Sequence, residues 1–251
     1  MTKKFLQKII NFFGYKISKL NKKKLNIDQI IQNNLPNNPI IFDIGANKGQ
    51  SIEKFSKLSI APQIHSFEPL RKEYEILKKK FNKENIFLNN CAVGNLNEKR
   101  KFNISIKSDS SSFYNINKNT DWIKKRSSEH NVSESEYANN TVTVDVVTID
   151  DYVLKNKINK IDLLKIDTEC HEDKVLEGAL NTIKNIPVNI VMLELRLDNV
   201  YDKYLTFSEI EKYLSPKEYR LVSINLLNDN LFSGLVFAAD IMYFSKKKFK
   251  I

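Results

Sequence analysis

Two short stretches of the sequence carry residue types that could do chemistry. The first is Asp167-Thr168-Glu169-Cys170-His171-Glu172, which follows the apolar run Ile161–Ile166. Carboxylates gathered behind a strand can take a proton or orient a hydroxyl, and a histidine of ordinary pKa, about 6.5, titrates where a general base works well. Asp167 or His171 is therefore the expected base, with Glu169 and Glu194 orienting the substrate. Two plainer roles stay open: Asp167 as a helix cap or a hydrogen-bond acceptor for a cofactor, and His171 as the first residue of a helix. Asp167, Glu169 and His171 are also donor types for a divalent metal, but acidic clusters at helix starts commonly hold none, so no metal is expected.

The second stretch is Ile40-Ile-Phe-Asp-Ile-Gly-Ala-Asn-Lys-Gly-Gln-Ser51, which places two of the chain's 6 glycines, Gly45 and Gly49, directly behind an apolar run. A glycine-poor chain keeps glycine where the backbone needs positive φ or where something approaches the main chain closely. A strand, a glycine turn and a helix bring backbone to a ligand at the carboxyl end of the first strand. The dinucleotide pattern G-x-G-x-x-G is missing, and Asp43 precedes the glycines. This suits a ligand with a cationic part and a carboxylate, such as S-adenosylmethionine, better than a pyrophosphate. Glu68, about 20 residues further on at the end of the next apolar run, can accept both hydroxyls of a ribose; it can also serve only as a favourable charge at the following helix N-terminus.

Positioning these groups takes a parallel sheet. Apolar runs alternate with amphipathic stretches, as in a sheet covered on both faces. Strands are expected at Ile40–Ile44, Gln63–Phe67, Ile86–Asn90, Ile161–Ile166, Val188–Leu195, Arg220–Asn225 and Leu235–Phe244. Helices are expected at Ser51–Leu58, Leu70–Phe81 (inner stripe Tyr74, Leu77 and Phe81), His171–Ile183 and Ser208–Leu214. The rhythm breaks between Val93 and Val147, where Arg100–Ile106 and Thr141–Val147 read as extra strands around a polar segment containing Trp122. The division expected is an N-terminal helix and linker over residues 1–34, then one domain over 35–251 with a substrate or lid segment near 100–147. In this sheet order Asp43 and Asp167 end neighbouring strands, so they should meet in one crevice.

Composition narrows the function classes. The net charge of +10 invites a nucleic-acid reading, but residues 1–24 hold eight lysines and no acid, and residues 246–250 hold four more. Without those twelve charges the body stands at −2, which argues against a broad nucleic-acid surface. Phe5, Leu6, Ile9, Ile10, Phe12, Phe13, Ile17 and Leu20 share one helical face opposite lysines. That helix can dock on its own domain or on a second subunit in a homodimer, or lie on an anionic membrane through residues 5–20. Two cysteines, Cys91 and Cys170, in no metal or disulfide spacing, and no apolar run of about 18 residues lead to the expectation of a cytoplasmic protein.

Taken in order, these blocks resemble the FkbM-type S-adenosylmethionine-dependent methyltransferases from about Ile40 to Leu195. IFDIGANKGQS is similar to the family's first motif, and FEPLRKEYEIL to its ribose-binding block. NNCAVGN resembles the third-strand block and SSF at Ser111–Phe113 a short serine motif. IDLLKIDTECHEDKVLEGA resembles the K-x-D-x-E-G-x-E block, and VMLEL ends in the family's late Glu. Cys170 stands where the family usually has Gly.

The resemblance implies an α/β class I methyltransferase fold: a seven-stranded, mostly parallel sheet with helices on both faces and an antiparallel last strand. It implies S-adenosylmethionine as cofactor, with Asp43, Gly45, Asn47, Gly49 and Ser51 in the first motif. Gly45 and Gly49 would face its methionine part, Glu68 its ribose, and Asn90, Cys91 and Ala92 its adenine. Ser111 and Ser112 would close over the site, and Asp167 would also touch the cofactor. The activity implied is O-methylation of a hydroxyl on a sugar or polysaccharide precursor, with a nucleotide-sugar or glycan acceptor. Against it stand a nucleic-acid methyltransferase, which the DTECHE block fits poorly, a nicotinamide-dependent oxidoreductase, and a non-catalytic, membrane-associated relative.

Overall fold

The computed structural model describes residues 11–12, 26–138, 140–227 and 236–247. Most of the N-terminal amphipathic segment, and with it the docking or membrane role expected of it, lies outside the described residues. Residues 27–34, expected as linker, form a helix, α1 (Ile27–Asn34), closed by a reciprocal Asn26–Gln29 capping box. Its Ile27 and Ile31 are buried against the sheet.

The central apolar runs become strands because both of their faces are covered. The main sheet contains β1 (Ile40–Ile44), β2 (Gln63–Phe67), β3 (Ile86–Asn89), β7 (Ile161–Ile166), β8 (Val188–Arg196), β9 (Tyr219–Leu227) and β10 (Ala238–Ser245), in the order β3-β2-β1-β7-β8-β10-β9. The first five run parallel, and β10, the last strand in the chain, lies antiparallel between β8 and β9. Strand order reverses between β1 and β7, which opens the crevice at their carboxyl ends. Helices α2 (Gln50–Leu58) and α3 (Arg71–Lys80) follow β1 and β2. In α3 the buried stripe is Glu73, Leu77 and the capping Phe81, while Tyr74 is only half-buried.

The two strands expected between residues 93 and 147 pair with each other: β5 (Glu98–Ile104) and β6 (Asn140–Val147), with the short β4 (Ala92–Val93), make a separate sheet. The polar segment between them is more ordered than its composition suggests. It forms α4 (Asp121–Glu129), capped by Thr120, and α5 (Glu134–Tyr137), started by a Ser133–Glu136 capping box. Trp122, Ile123 and Tyr137 bury themselves there around Cys170, Val200 and Tyr201.

The chain after β6 forms α6 (Ile149–Lys155), and the helix expected over His171–Ile183 is instead two, α7 (Glu172–Glu177) and α8 (Leu180–Asn185). The break falls at Gly178, which packs against the loop after β4 so closely that a Cβ would lie 2.0 Å from the Gly94 carbonyl oxygen. A last helix, α9 (Phe207–Leu214), covers the far end of the sheet, with Ile210 and Leu214 fully buried. Gly178→Ala, although its φ of −75° is ordinary, should therefore destabilise the fold by about 1–3 kcal/mol through overpacking, read as a lower urea midpoint.

Candidate functional site

The site grows out of β1 and β7. Gly45 turns the chain at φ 83°, and a Cβ there would sit 1.9 Å from the Asp167 carbonyl oxygen, so only glycine lets the two strand ends close together. Both Gly45 and Ala46 donate their amides to the Phe67 carbonyl, and Asp167 donates its amide to Ile44. The turn is thereby tied to β2 and β7 at once. Glu68 adds a second tie: one oxygen accepts the Asn47 amide and the other the Leu70 amide, each at 2.8 Å. Burial pushes the Glu68 pKa up to about 7 against the pull of those two amides.

Beneath the turn lies Lys165, the lysine of the K-x-D-x-E block, for which the sequence predicts no role of its own. Its ammonium stands 3.3 Å from Asp43, 3.1 Å from Asp167 and 3.2 Å from the Gly45 carbonyl. Burial works against its charge, yet the carboxylates of Asp167 and Asp43 hold its pKa above the ordinary value. Asp43 is fully buried, and burial raises its pKa although Lys165 opposes the shift. Neither Asp43 oxygen meets hydrogen-bond geometry, so Lys165 holds it as an ion pair alone. Asp43 and Asp167 do converge, with a lysine between them.

Above the turn is a cavity of about 230 Å³. One end is an apolar slot of Phe67, Leu70, Ala92, Val93, Phe102 and Phe113; the other carries Asp167, Glu169, Glu194 and Arg196. Ser108, Ser111 and Asp109 form part of the rim. Of the residues expected to bind cofactor, Gly45, Asn47, Glu68, Ala92, Ser111 and Asp167 line this cavity. The others stand behind it. Gly49 begins α2 and packs on the Phe81 ring, and Ser51 follows it in α2. Asn90 donates to the Glu68 and Pro69 carbonyls, holding the turn after β2. Cys91 packs against the main core, where burial and then the Asp145 charge push its thiol up to about 12. Ser112 donates to the Glu169 carbonyl from beneath the rim.

The acidic loop does not bring its histidine to the cavity. Glu169 and Cys170 both take left-handed backbone, φ 54° and 72°, and this double turn carries His171 away from the lining. The φ at Cys170 explains why glycine is usual there; the cysteine side chain is accepted because it packs among Ile116, Trp122 and Tyr137. His171 is 1% exposed, packs at a tilt against the Phe113 ring and meets the Tyr114 hydroxyl at 3.2 Å through Nδ1. Burial, and then the charges of Arg100, Lys203 and Lys174, pull its pKa down to about 3. A buried imidazole of that pKa is a poor proton acceptor. Among the described residues the acidic trio whose oxygens approach one another is Asp167, Glu169 and Glu194, within 4.8 Å, so the set with His171 is not the one the fold assembles.

Comparison with known proteins settles the family. The sequence matches the description "Methyltransferase FkbM domain" over residues 43–221. The chain belongs to the FkbM methyltransferase family. S-adenosylmethionine is accordingly its methyl donor. No curated protein matches the sequence. Among solved structures it is similar to an rRNA methylase from Streptococcus thermophilus (10% identity, 91% of this chain and 99% of that one, TM-score 0.47). It is also similar to a magnesium protoporphyrin IX methyltransferase from Synechocystis PCC 6803 with bound S-adenosylmethionine (9% identity, 90% and 86%, TM-score 0.45). No described helix of this FkbM methyltransferase is long and apolar enough to cross a membrane.

The lysine under the turn gives a direct test. Lys165→Met leaves the buried Asp43 unpaired and should cost about 3–5 kcal/mol of unfolding free energy, with Asp43→Asn in the same chain recovering roughly half or more, measured by urea denaturation.

Proposed function

We propose that this FkbM methyltransferase methylates a hydroxyl group of a sugar or polysaccharide precursor. The observation that carries the reading is the pair Asp167 and Glu194 at the charged end of the cavity, beside Arg196. A sugar hydroxyl is barely acidic, so its oxygen attacks only when a positioned group takes the proton. Burial, and then the Asp167 charge, lift the Glu194 pKa to about 8, close to the pH at which a base of this kind is most effective. Proton acceptance falls to this carboxylate pair, while Glu169, bound to Arg196 and Tyr201, is a strut.

The residues present fit the cofactor. S-adenosylmethionine supplies an electrophilic methyl group on a sulfonium when bound. Carboxylates at one end of the cavity suit a cation, and the apolar slot between Phe67, Leu70 and Phe102 suits a flat heteroaromatic ring. Gly45 and Asn47 would hold the amino-acid part, Glu68 the ribose and Ala92 the adenine. The Ser108–Ser111 rim would shield the reacting groups from water, since Ser105 pins it through Ser111 Oγ and the Ser110 carbonyl. Supporting a small acceptor is the cavity itself, lined by residues of the rim and the second sheet as well as by the ends of the main sheet.

Methyl-labelled donor and a panel of nucleotide sugars and free glycans test this reading. An accepted sugar should gain a base-stable methyl ether. Asp167→Asn and Glu194→Gln should each lose about 100-fold or more in turnover, and His171→Gln should stay within about threefold. Methylation confined to RNA or DNA would overturn it.

A further inference from the structure

The three cavity carboxylates have the donor type and the spacing of a divalent-metal site, yet a cation of the protein is already among them. Arg196 reaches both oxygens of Glu169: Nε donates to one at 2.8 Å and Nη2 to the other. The same Nη2 lies 3.3 Å from Glu194. The Tyr201 hydroxyl, buried, takes the remaining capacity of Glu169 at 2.9 Å. Asp167 is held by Lys165 on its other side. Every carboxylate of the trio thus faces a fixed positive group.

We propose that Arg196 is the resident cation of this site, its guanidinium standing where a divalent metal would otherwise sit and presenting its free edge to the acceptor oxygen. A metal bound by Asp167, Glu169 and Glu194 would need their oxygens at about 2.0–2.6 Å. It would then have to displace the guanidinium from Glu169 or stand beside it, a like charge in a desolvated wall. Arg196 lines the cavity, and its hydrogen bonds to described residues run through Nε and Nη2, not Nη1. A guanidinium offers five N–H donors in a rigid fork; two serve Glu169, Nη2 also faces Glu194 as an ion pair, and the outer edge remains for a ligand.

The inference rests on the methyl-transfer reading and adds how the acceptor is held. With S-adenosylmethionine bound, the acceptor oxygen, oriented by Nη1, would bond to the methyl carbon as the sulfur–carbon bond broke. The electron pair of that bond would stay on sulfur, and the hydroxyl proton would pass to the Asp167–Glu194 pair. Arg196 supplies a fixed positive partner for the oxygen as its charge rearranges. Asp167 and Glu194 stay close enough to take the proton because the same guanidinium offsets their repulsion.

Manganese is the probe, used on the full chain by electron paramagnetic resonance and thermal unfolding, without donor or acceptor. Wild-type protein should neither broaden the Mn²⁺ signal nor gain melting temperature at millimolar Mn²⁺. Arg196→Gln should melt lower, because Glu169 is then buried without its cation. Added Mn²⁺ should restore part of the loss, with a Kd of roughly 100 μM or tighter. Arg196→Lys, which keeps a charge there, should remain blind to Mn²⁺, and Glu194→Gln in the Arg196→Gln chain should abolish the rescue. One Mn²⁺ bound per wild-type chain, or a folded Arg196→Gln that ignores Mn²⁺, overturns the proposal. Either result leaves S-adenosylmethionine binding, and so the methyl-transfer reading, to stand or fall on its own titration.

Discussion

The buried ammonium of Lys165 is the interaction on which the site depends. It lies where β1 and β7 meet, and it joins Asp43, Asp167 and the Gly45 carbonyl. Without it the fully buried Asp43 would stand near Asp167 with no counter-charge, and the glycine turn and the acidic loop would lose the tie between them. Such a buried cluster is a costly way to gain stability, since desolvation cancels most of the attraction. Its value is geometric: a charge fixed by three partners cannot drift, so the backbone around it is held to one arrangement.

From that point the molecule separates its tasks by strand. The ends of β1 and β2 form the Gly45 turn and its Glu68 tie, which hold backbone against the cofactor side. The ends of β7 and β8 supply Asp167, Glu194 and Arg196, the charged side. The second sheet and the Ser108–Ser111 rim close the space between them, and Tyr201 links rim to charge by meeting both the Ser110 carbonyl and Glu169. A shift of the rim is therefore felt at Glu169 and, through it, at Arg196.

Much of this was legible in the sequence, for a physical reason. The central strands, buried on both faces, read as mostly apolar runs and the edge strand β9 as an alternating one, so all seven strands of the main sheet are legible, and the Gly45 turn announces itself in a glycine-poor chain. What escaped depends on contacts between distant segments. Nothing local shows that Gly178 must pass against Gly94, so one helix was expected where two form. His171 shares the acidic loop with Asp167, but two left-handed residues separate neighbours in sequence from neighbours in space. Lys165 did leave a signal, a charge near the end of the run Ile161–Ile166 and two residues before Asp167. The Ser133-x-x-Glu136 box likewise marked a helix start inside a segment that composition suggested was loop.

Calorimetric titration with S-adenosylmethionine and S-adenosylhomocysteine tests the central claim most directly, which is that the cavity between the Gly45 turn and the Asp167 loop holds the methyl donor. The wild-type chain should bind one equivalent in the micromolar range. Glu68→Ala, checked by circular dichroism to be folded, should weaken binding at least about tenfold, the loss of roughly one charge-assisted hydrogen bond. Wild-type affinity retained in a folded Glu68→Ala protein, or no binding by the wild type, would contradict it.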